Sequence, residues 1–130
     1  MKIVLKISGK LVSPEDPGYI SRITSVIDSL LKEGHRVVIV TGGGDIARRY
    51  ISACRALGGN EGICDLVGIE ASRLNAMLLI TSLGDRAYRR VVRNVDELLQ
   101  AWGTGLVIAA GGFQPGQSTV AVSAIIAETI

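Results

Sequence analysis

Apolar positions follow two rhythms along this chain. Lys2 to Ile7 is an apolar, β-branched run stopped by Ser8-Gly9, and Arg36 to Thr41 is a second that runs straight into Gly42-Gly43-Gly44. Runs of this length and composition predict strands buried on both faces. Gly105 to Ala110 predicts a third, ending at Gly111-Gly112, and Tyr88 to Val92 a shorter one. Between them the spacing changes. After the breaker stretch Ser13 to Gly18, the residues Ile20, Ile23, Val26, Ile27, Leu30 and Leu31 mark a one-sided helix that Gly34 ends. Asp45 is placed to cap a helix through about Leu57, and Val67 to Leu83 predicts a long helix. Asn94 or Asp96 opens a short helix near Trp102, and Thr119 opens a last one, Val120 to Ile130. Strands alternating with helices predict an α/β fold, with a mainly parallel sheet and helices on both faces.

At 130 residues the chain is the size of one domain. Fourteen basic and twelve acidic side chains leave a net charge of +2, too small for a nucleic-acid groove or a charged membrane-binding face. Hydrophobic residues at 48 % and a mean hydropathy of +0.38 exclude disordered, collagen-like and coiled-coil classes. Cys54 and Cys64 form no CxxC pattern and His35 is the one histidine, so neither a zinc site nor a disulfide framework is expected. Both cysteines read as packing residues, His35 as a turn residue and Trp102 as core or interface. The N-terminus carries neither a signal-peptide core nor a spanning segment, which makes a reducing cytoplasm the expected compartment. The last helix ends at Ala127-Glu128-Thr129-Ile130 with no glycine cap, basic turn or returning strand. The expectation is a truncated domain.

Sixteen glycines in 130 residues exceed the usual ~7 %, and they cluster where predicted strands end. In an open parallel sheet the carboxyl edge is where ligands bind. Glycines let backbone N–H groups approach an anion, and the positive end of the helix near Asp45 faces the same edge. The combination predicts a phosphate site, whereas any one cluster alone is equally a tight strand-to-helix turn. No P-loop occurs, and Gly42-Gly43-Gly44 lacks the GxGxxG spacing. Lys6 is a cation within an apolar strand, and either points at an anion or snorkels from an edge strand to water. Arg48 lies one turn after Gly44, on the face looking back at the glycines, with Arg49 pointing elsewhere. Its alternative is a solvated arginine on an amphipathic helix.

Lys6-Ile7-Ser8-Gly9, Val40-Thr41-Gly42-Gly43-Gly44 and the run Gly111-Gly112-Phe113-Gln114-Pro115-Gly116-Gln117-Ser118-Thr119 together resemble the amino-acid kinase superfamily. Asp65 to Ile69 followed by Ser72-Arg73-Leu74-Asn75-Ala76 is similar to the nucleoside-contacting helix of its archaeal uridylate kinase branch. The resemblance covers essentially the whole chain. It implies a three-layer α/β/α sandwich of the carbamate kinase-like type, truncated, with residues 1–130 as the N-terminal UMP-binding part and the C-terminal ATP-binding part absent. It implies transfer of the ATP γ-phosphoryl group to UMP, with Mg²⁺ carried by ATP, in a cytoplasmic homo-oligomer, hexameric in the family, that engages neither nucleic acid nor membrane. Carried over residue by residue, Lys6 and Arg48 are the catalytic cations. Gly43, Asp65, Phe113, Gln114, Pro115, Gly116, Gln117, Ser118 and Thr119 hold UMP, with Asp65 on the ribose hydroxyls. Gly9, Lys10, Gly44 and Arg48 hold the ATP phosphates, and no residue is assigned to a metal.

No general base is needed, because the nucleophile is already an anionic phosphate oxygen and the barrier lies in charge repulsion and misalignment. Asp65 is equally readable as an acid at a helix N-terminus. Two other readings stand beside UMP phosphorylation: a nucleotide- or anion-binding module without catalysis, and another phosphotransferase of the superfamily, such as acetylglutamate kinase. An isopentenyl phosphate acceptor is disfavoured, since the histidine that branch carries after its glycine motif is replaced here by Asp45-Ile46-Ala47.

Overall fold

The computed structural model describes residues 1–130. Three parallel strands, β1 (Lys2–Ile7), β2 (Arg36–Thr41) and β3 (Ile108–Ala110), lie in that order across one sheet. Lys6 pairs in register with Val40, and Val40 with Ala110, so the three strands end together at one edge. β2 is central and alternates strictly. Val37 and Ile39 enter a core with Val12, Ile20, Ile27, Leu79 and Leu83, whereas Val38 and Val40 enter a second core with Ile108, Leu98, Val122 and Ile126. Because successive side chains of a strand point to opposite faces, one strand anchors both layers. Helices α1 (Pro17–Lys32) and α3 (Glu61–Leu83) cover the first face, and α4 (Val95–Trp102) and α5 (Thr119–Thr129) the second. α2 (Gly44–Ala56) packs outside, along α3. The expected three-layer α/β/α architecture is the one observed.

Several boundaries differ, each for a local reason. β1 was expected to be buried, but it is the edge strand of this sheet, and its residues are half-buried or exposed. α2 starts one residue before Asp45: Gly43 is its N-cap and Asp45 lies in the first turn, bonded to Arg48 instead of capping. α3 starts six residues earlier than expected, at Glu61, because the Asn60 carboxamide oxygen accepts from the Ile63 N–H at 2.9 Å, a standard N-cap bond. In α4 Asn94, not Asp96, is the cap, accepting from the Glu97 N–H. Ser118, not Thr119, caps α5 by accepting from the Ala121 N–H. Tyr88 to Val92 does not form a strand. Ala87 and Val92 each make one parallel bridge, to Val107 and Ala110, and the chain bends at Arg89 and Arg90 between them. Trp102 is half-buried, with the Arg36 guanidinium 3.5 Å from its ring centre.

Glycines do two different jobs here. Gly34, at φ +86°, ends α1 with open space around it, whereas a Cβ on Gly9 would sit 2.7 Å from the Gly42 carbonyl oxygen. Gly34→Ala is therefore expected to cost ~1 kcal/mol for the left-handed backbone. Gly9→Ala is expected to cost ~3 kcal/mol or more, because backbone must move to admit the methyl group. Chemical denaturation of both variants checks the order, and equal losses would contradict it.

Candidate functional site

The carboxyl edge of the sheet is built from backbone packed on backbone. Gly9, following β1, lies against the Gly42-Gly43-Gly44 loop that follows β2, and Gly44 takes φ +63° to start α2 there. After β3, a Cβ on Gly112 would come within 2.7 Å of Ile69 Cγ1, and one on Gly111 within 2.9 Å of the Arg73 nitrogen. The sheet edge and α3 thus approach more closely than any side chain at these positions permits.

α3 fixes these loops by hydrogen bonds from a single turn. Thr41 Oγ1 donates to the Ser72 carbonyl at 2.9 Å, and Ser72 Oγ accepts from the Gly112 N–H at 2.8 Å. Asn75 Nδ2 donates to the carbonyls of Gly42 at 2.9 Å and Gly43 at 3.2 Å. Arg73 Nη2 reaches the Gly112 carbonyl at 3.1 Å, and Nη1 pairs with Glu70 at 2.8 Å. Ser72, Arg73 and Asn75 belong to the run whose sequence resembles a nucleoside-contacting helix. Of them, Ser72 lines the cleft described next, and Arg73 and Asn75 hold main chain.

Between α3 and the loop that follows β3 opens a cleft of about 410 Å³, lined by Gly43, Asp65, Gly68, Ile69, Ser72, Gly112 and the run Gln114 to Thr119, with Ala47 and Ile51 of α2. Asp65 lies in the second turn of α3 rather than at its N-terminus, and its Oδ2 accepts from the Gly116 N–H at 3.2 Å. One carboxylate so ties the two walls across 51 residues of chain. Gln117 leaves its Oε1 buried without a partner at this cleft. Phe113 does not line it: its ring packs against the core of Val40, Ala110 and Val122.

A second cleft, of about 250 Å³, is lined by Gly9, Lys10, Arg49 and Asn75 together with the acidic residues Glu15, Asp16 and Asp45. Arg49, read from the sequence as pointing elsewhere, lines it. Arg48 lines neither cleft and is 66 % exposed in a 2.5 Å ion pair with Asp45. That pair joins adjacent turns of α2 and draws the guanidinium along the helix surface. Lys6 is exposed on the edge strand, outside both clefts and in no ion pair. Cys64 is buried, donating to the Gly59 carbonyl at 3.7 Å. Burial, followed by hydrogen bonding with the Cys54 thiol, pushes its thiol up and keeps it protonated at neutral pH.

The model of the Amino acid kinase family matches residues 1–128. The chain belongs to that family. Among curated relatives, the uridylate kinase of Hyperthermus butylicus is 53 % identical over 128 residues, covering 98 % of this chain and 57 % of that protein. The uridylate kinase of Metallosphaera sedula is 51 % identical over 130 residues, covering 100 % and 57 %. The crystal structure of uridylate kinase from Archaeoglobus fulgidus superposes with a TM-score of 0.91 at 38 % identity, covering 98 % of this chain and 58 % of that one. UMP kinase from Ureaplasma parvum, at 23 % identity and a TM-score of 0.77, shares the fold. The chain spans about 57 % of the length of the curated relatives it matches.

Within this family fold, sequence reasoning passed over Ala47, Ile51, Arg49 and the bonding roles of Ser72, Arg73 and Asn75. A signal for α3 was present: Asp65, Gly68 or Ile69, Ser72 and Asn75 recur every three or four residues, which is one helix face. The outcome expected for Ser72→Ala follows from burial. It leaves the Gly112 N–H without its acceptor and should cost ~1–3 kcal/mol, read by thermal or chemical unfolding; an unchanged midpoint would mean that the bond contributes nothing.

Proposed function

We propose that this chain is the acceptor-binding part of a uridylate kinase, which transfers the γ-phosphoryl group of ATP to UMP and releases UDP and ADP. The observation that carries the reading is the cleft in which Gly43, Asp65 and Gln114 to Thr119 meet, the acceptor residues implied by the motif resemblance apart from Phe113. The uridylate kinase relatives at 53 % and 51 % identity support the choice of acceptor.

In this reading Asp65 accepts the ribose hydroxyls and Gln117 Oε1 a base N–H. Gly43 and the start of α2 receive the UMP phosphate, as orphan N–H groups at a helix N-terminus do for anions. The ATP phosphates approach Gly9, Lys10 and Gly44 from the second cleft, with Lys6 and Arg48 moving in to offset charge on the transferring group. A UMP phosphate oxygen bonds to the γ-phosphorus as the bond to the β,γ-bridging oxygen breaks, and ADP keeps that electron pair. No proton is abstracted. No three His, Cys, Asp or Glu side chains converge anywhere in the chain, so its residues do not fit a metal cage and no step here depends on one. Mg²⁺ belongs with the phosphates of ATP.

We further propose a homo-oligomer, formed through α2 and α3. Their outer faces carry Tyr50, Ile63, Leu66 and Leu74, each about half exposed or more, around an apolar hollow of about 340 Å³. No helix is long and apolar enough to cross a membrane, and two free cysteines favour the cytoplasm.

Calorimetry should show UMP bound at least ~10-fold more tightly than CMP or AMP, because a lost buried polar contact to the base costs ~1–3 kcal/mol. Asp65→Asn should weaken UMP more than 2′-deoxy-UMP. A flat base profile would overturn the acceptor assignment, and equal losses for the two sugars would leave Asp65 only its bond to Gly116. Light scattering should report a multimer that Leu66→Glu dissociates; a wild-type monomer would refute the interface.

A further inference from the structure

Asn75 stands apart among the polar side chains of α3. It is 3 % exposed, and one amide nitrogen bonds two successive glycine carbonyls more than thirty residues away. The peptide unit is planar and trans, so each carbonyl points opposite to the N–H that follows it. Drawing the Gly42 and Gly43 carbonyls toward α3 therefore turns the N–H groups of Gly43 and Gly44 away from α3. Those are the N-cap and first residue of α2, whose N–H groups find no acceptor within the helix.

Nothing else on α3 restrains this loop by hydrogen bonding: Ser72 and Arg73 bond the loop after β3, and Thr41, which bonds Ser72, lies at the end of β2. Glycine is the residue that loses most order when released, and Gly42-Gly43-Gly44 is three in a row. Asn75 also lines the second cleft while Gly43 lines the first, so this bond joins a side chain at one cleft to main chain at the other. We propose that Asn75 is a positioning residue for the phosphate site: its carboxamide holds the glycine loop with the Gly43 and Gly44 N–H groups aimed at the acceptor phosphate, and it lies outside the acceptor cleft itself. The inference rests on the acceptor-binding reading of the cleft and adds what preorganises its anion end.

The consequence is specific to the phosphate. Uridine and UMP share base and ribose, so the ratio of their dissociation constants isolates the anion contact. The wild-type chain is expected to bind UMP at least tenfold more tightly than uridine. In Asn75→Ala and Asn75→Asp that ratio should collapse toward one through loss of UMP affinity, with uridine affinity within about twofold of wild type. Thr24→Val, which breaks the part-buried Thr24 Oγ1 bond to Ser82 Oγ two turns further along α3, serves as a stability control and should keep the wild-type ratio. Retention of the ratio in Asn75→Ala, or equal weakening of both ligands, overturns the proposal. A wild-type ratio of one would instead refute the acceptor-binding reading, and the proposal with it. Should neither Asn75 variant fold, nitrogen-15 NMR of the wild type decides. UMP, and not uridine, must shift the Gly43 and Gly44 amides and the Asn75 side-chain NH₂ pair; an unmoved side-chain pair overturns the proposal.

Discussion

Main chain touches main chain at the carboxyl edge of this sheet, and no residue with a side chain fits there. Gly9 meets the main chain of Gly42 to Gly44, Gly111 meets the Ser72 hydroxyl and the main chain of α3, and Gly112 meets the Ile69 side chain, which brings three loops and a helix within a few ångströms. Peptide groups packed this tightly must satisfy their hydrogen bonds locally. One turn of α3 does so, with Ser72, Arg73 and Asn75 each serving a loop. The cleft is the space left over. Its floor is glycine backbone, and its walls are α3 and the loop from Gln114 to Thr119.

That construction suits an anion better than a ring of fixed cations would. Backbone N–H dipoles at the start of α2 are already oriented, so binding need not order long side chains. The cations nearby, Lys6, Arg48 and Arg49, are surface groups, and Arg48 is engaged with Asp45. Exposed ion pairs of this kind contribute little, ~0–1 kcal/mol, so under the proposed function an arriving phosphate would displace the partner at small cost. The division of labour is static backbone for position and mobile side chains for charge.

The two cores carry the stability and are almost separate from the site. Val37 and Ile39 on one side and Val38 and Val40 on the other fasten α1 and α3, and α4 and α5, to the same strand. The edge position of β1 leaves Lys6 solvated beside these cores. An amine there is accessible to solvent, without the desolvation cost it would meet inside a central strand.

How far the amino-acid order reaches is clear from particular elements. The spans of β1 and β2 were legible to the residue, because unbroken β-branched runs bounded by glycine leave one reading. The glycine-lined carboxyl edge was legible too, since glycines follow all three strands. Helix starts were not: Asn60, Asn94 and Ser118 compete with neighbouring polar residues, and only geometry picks the oxygen that meets a free N–H. Tyr88 to Val92 has strand composition, yet it makes only one bridge, at Val92, because pairing needs a partner in register along its length. The choice between Arg48 and Arg49 depended on where Asp45 and Lys10 lie around α2, and the role of Asn75 on carbonyls more than thirty residues away. Periodicity and glycine spacing act along the chain, so the sequence alone determines the elements and the edge where they deliver main chain. Which side chain closes each bond across that edge is a matter of distance in space, and the tertiary structure alone decides it.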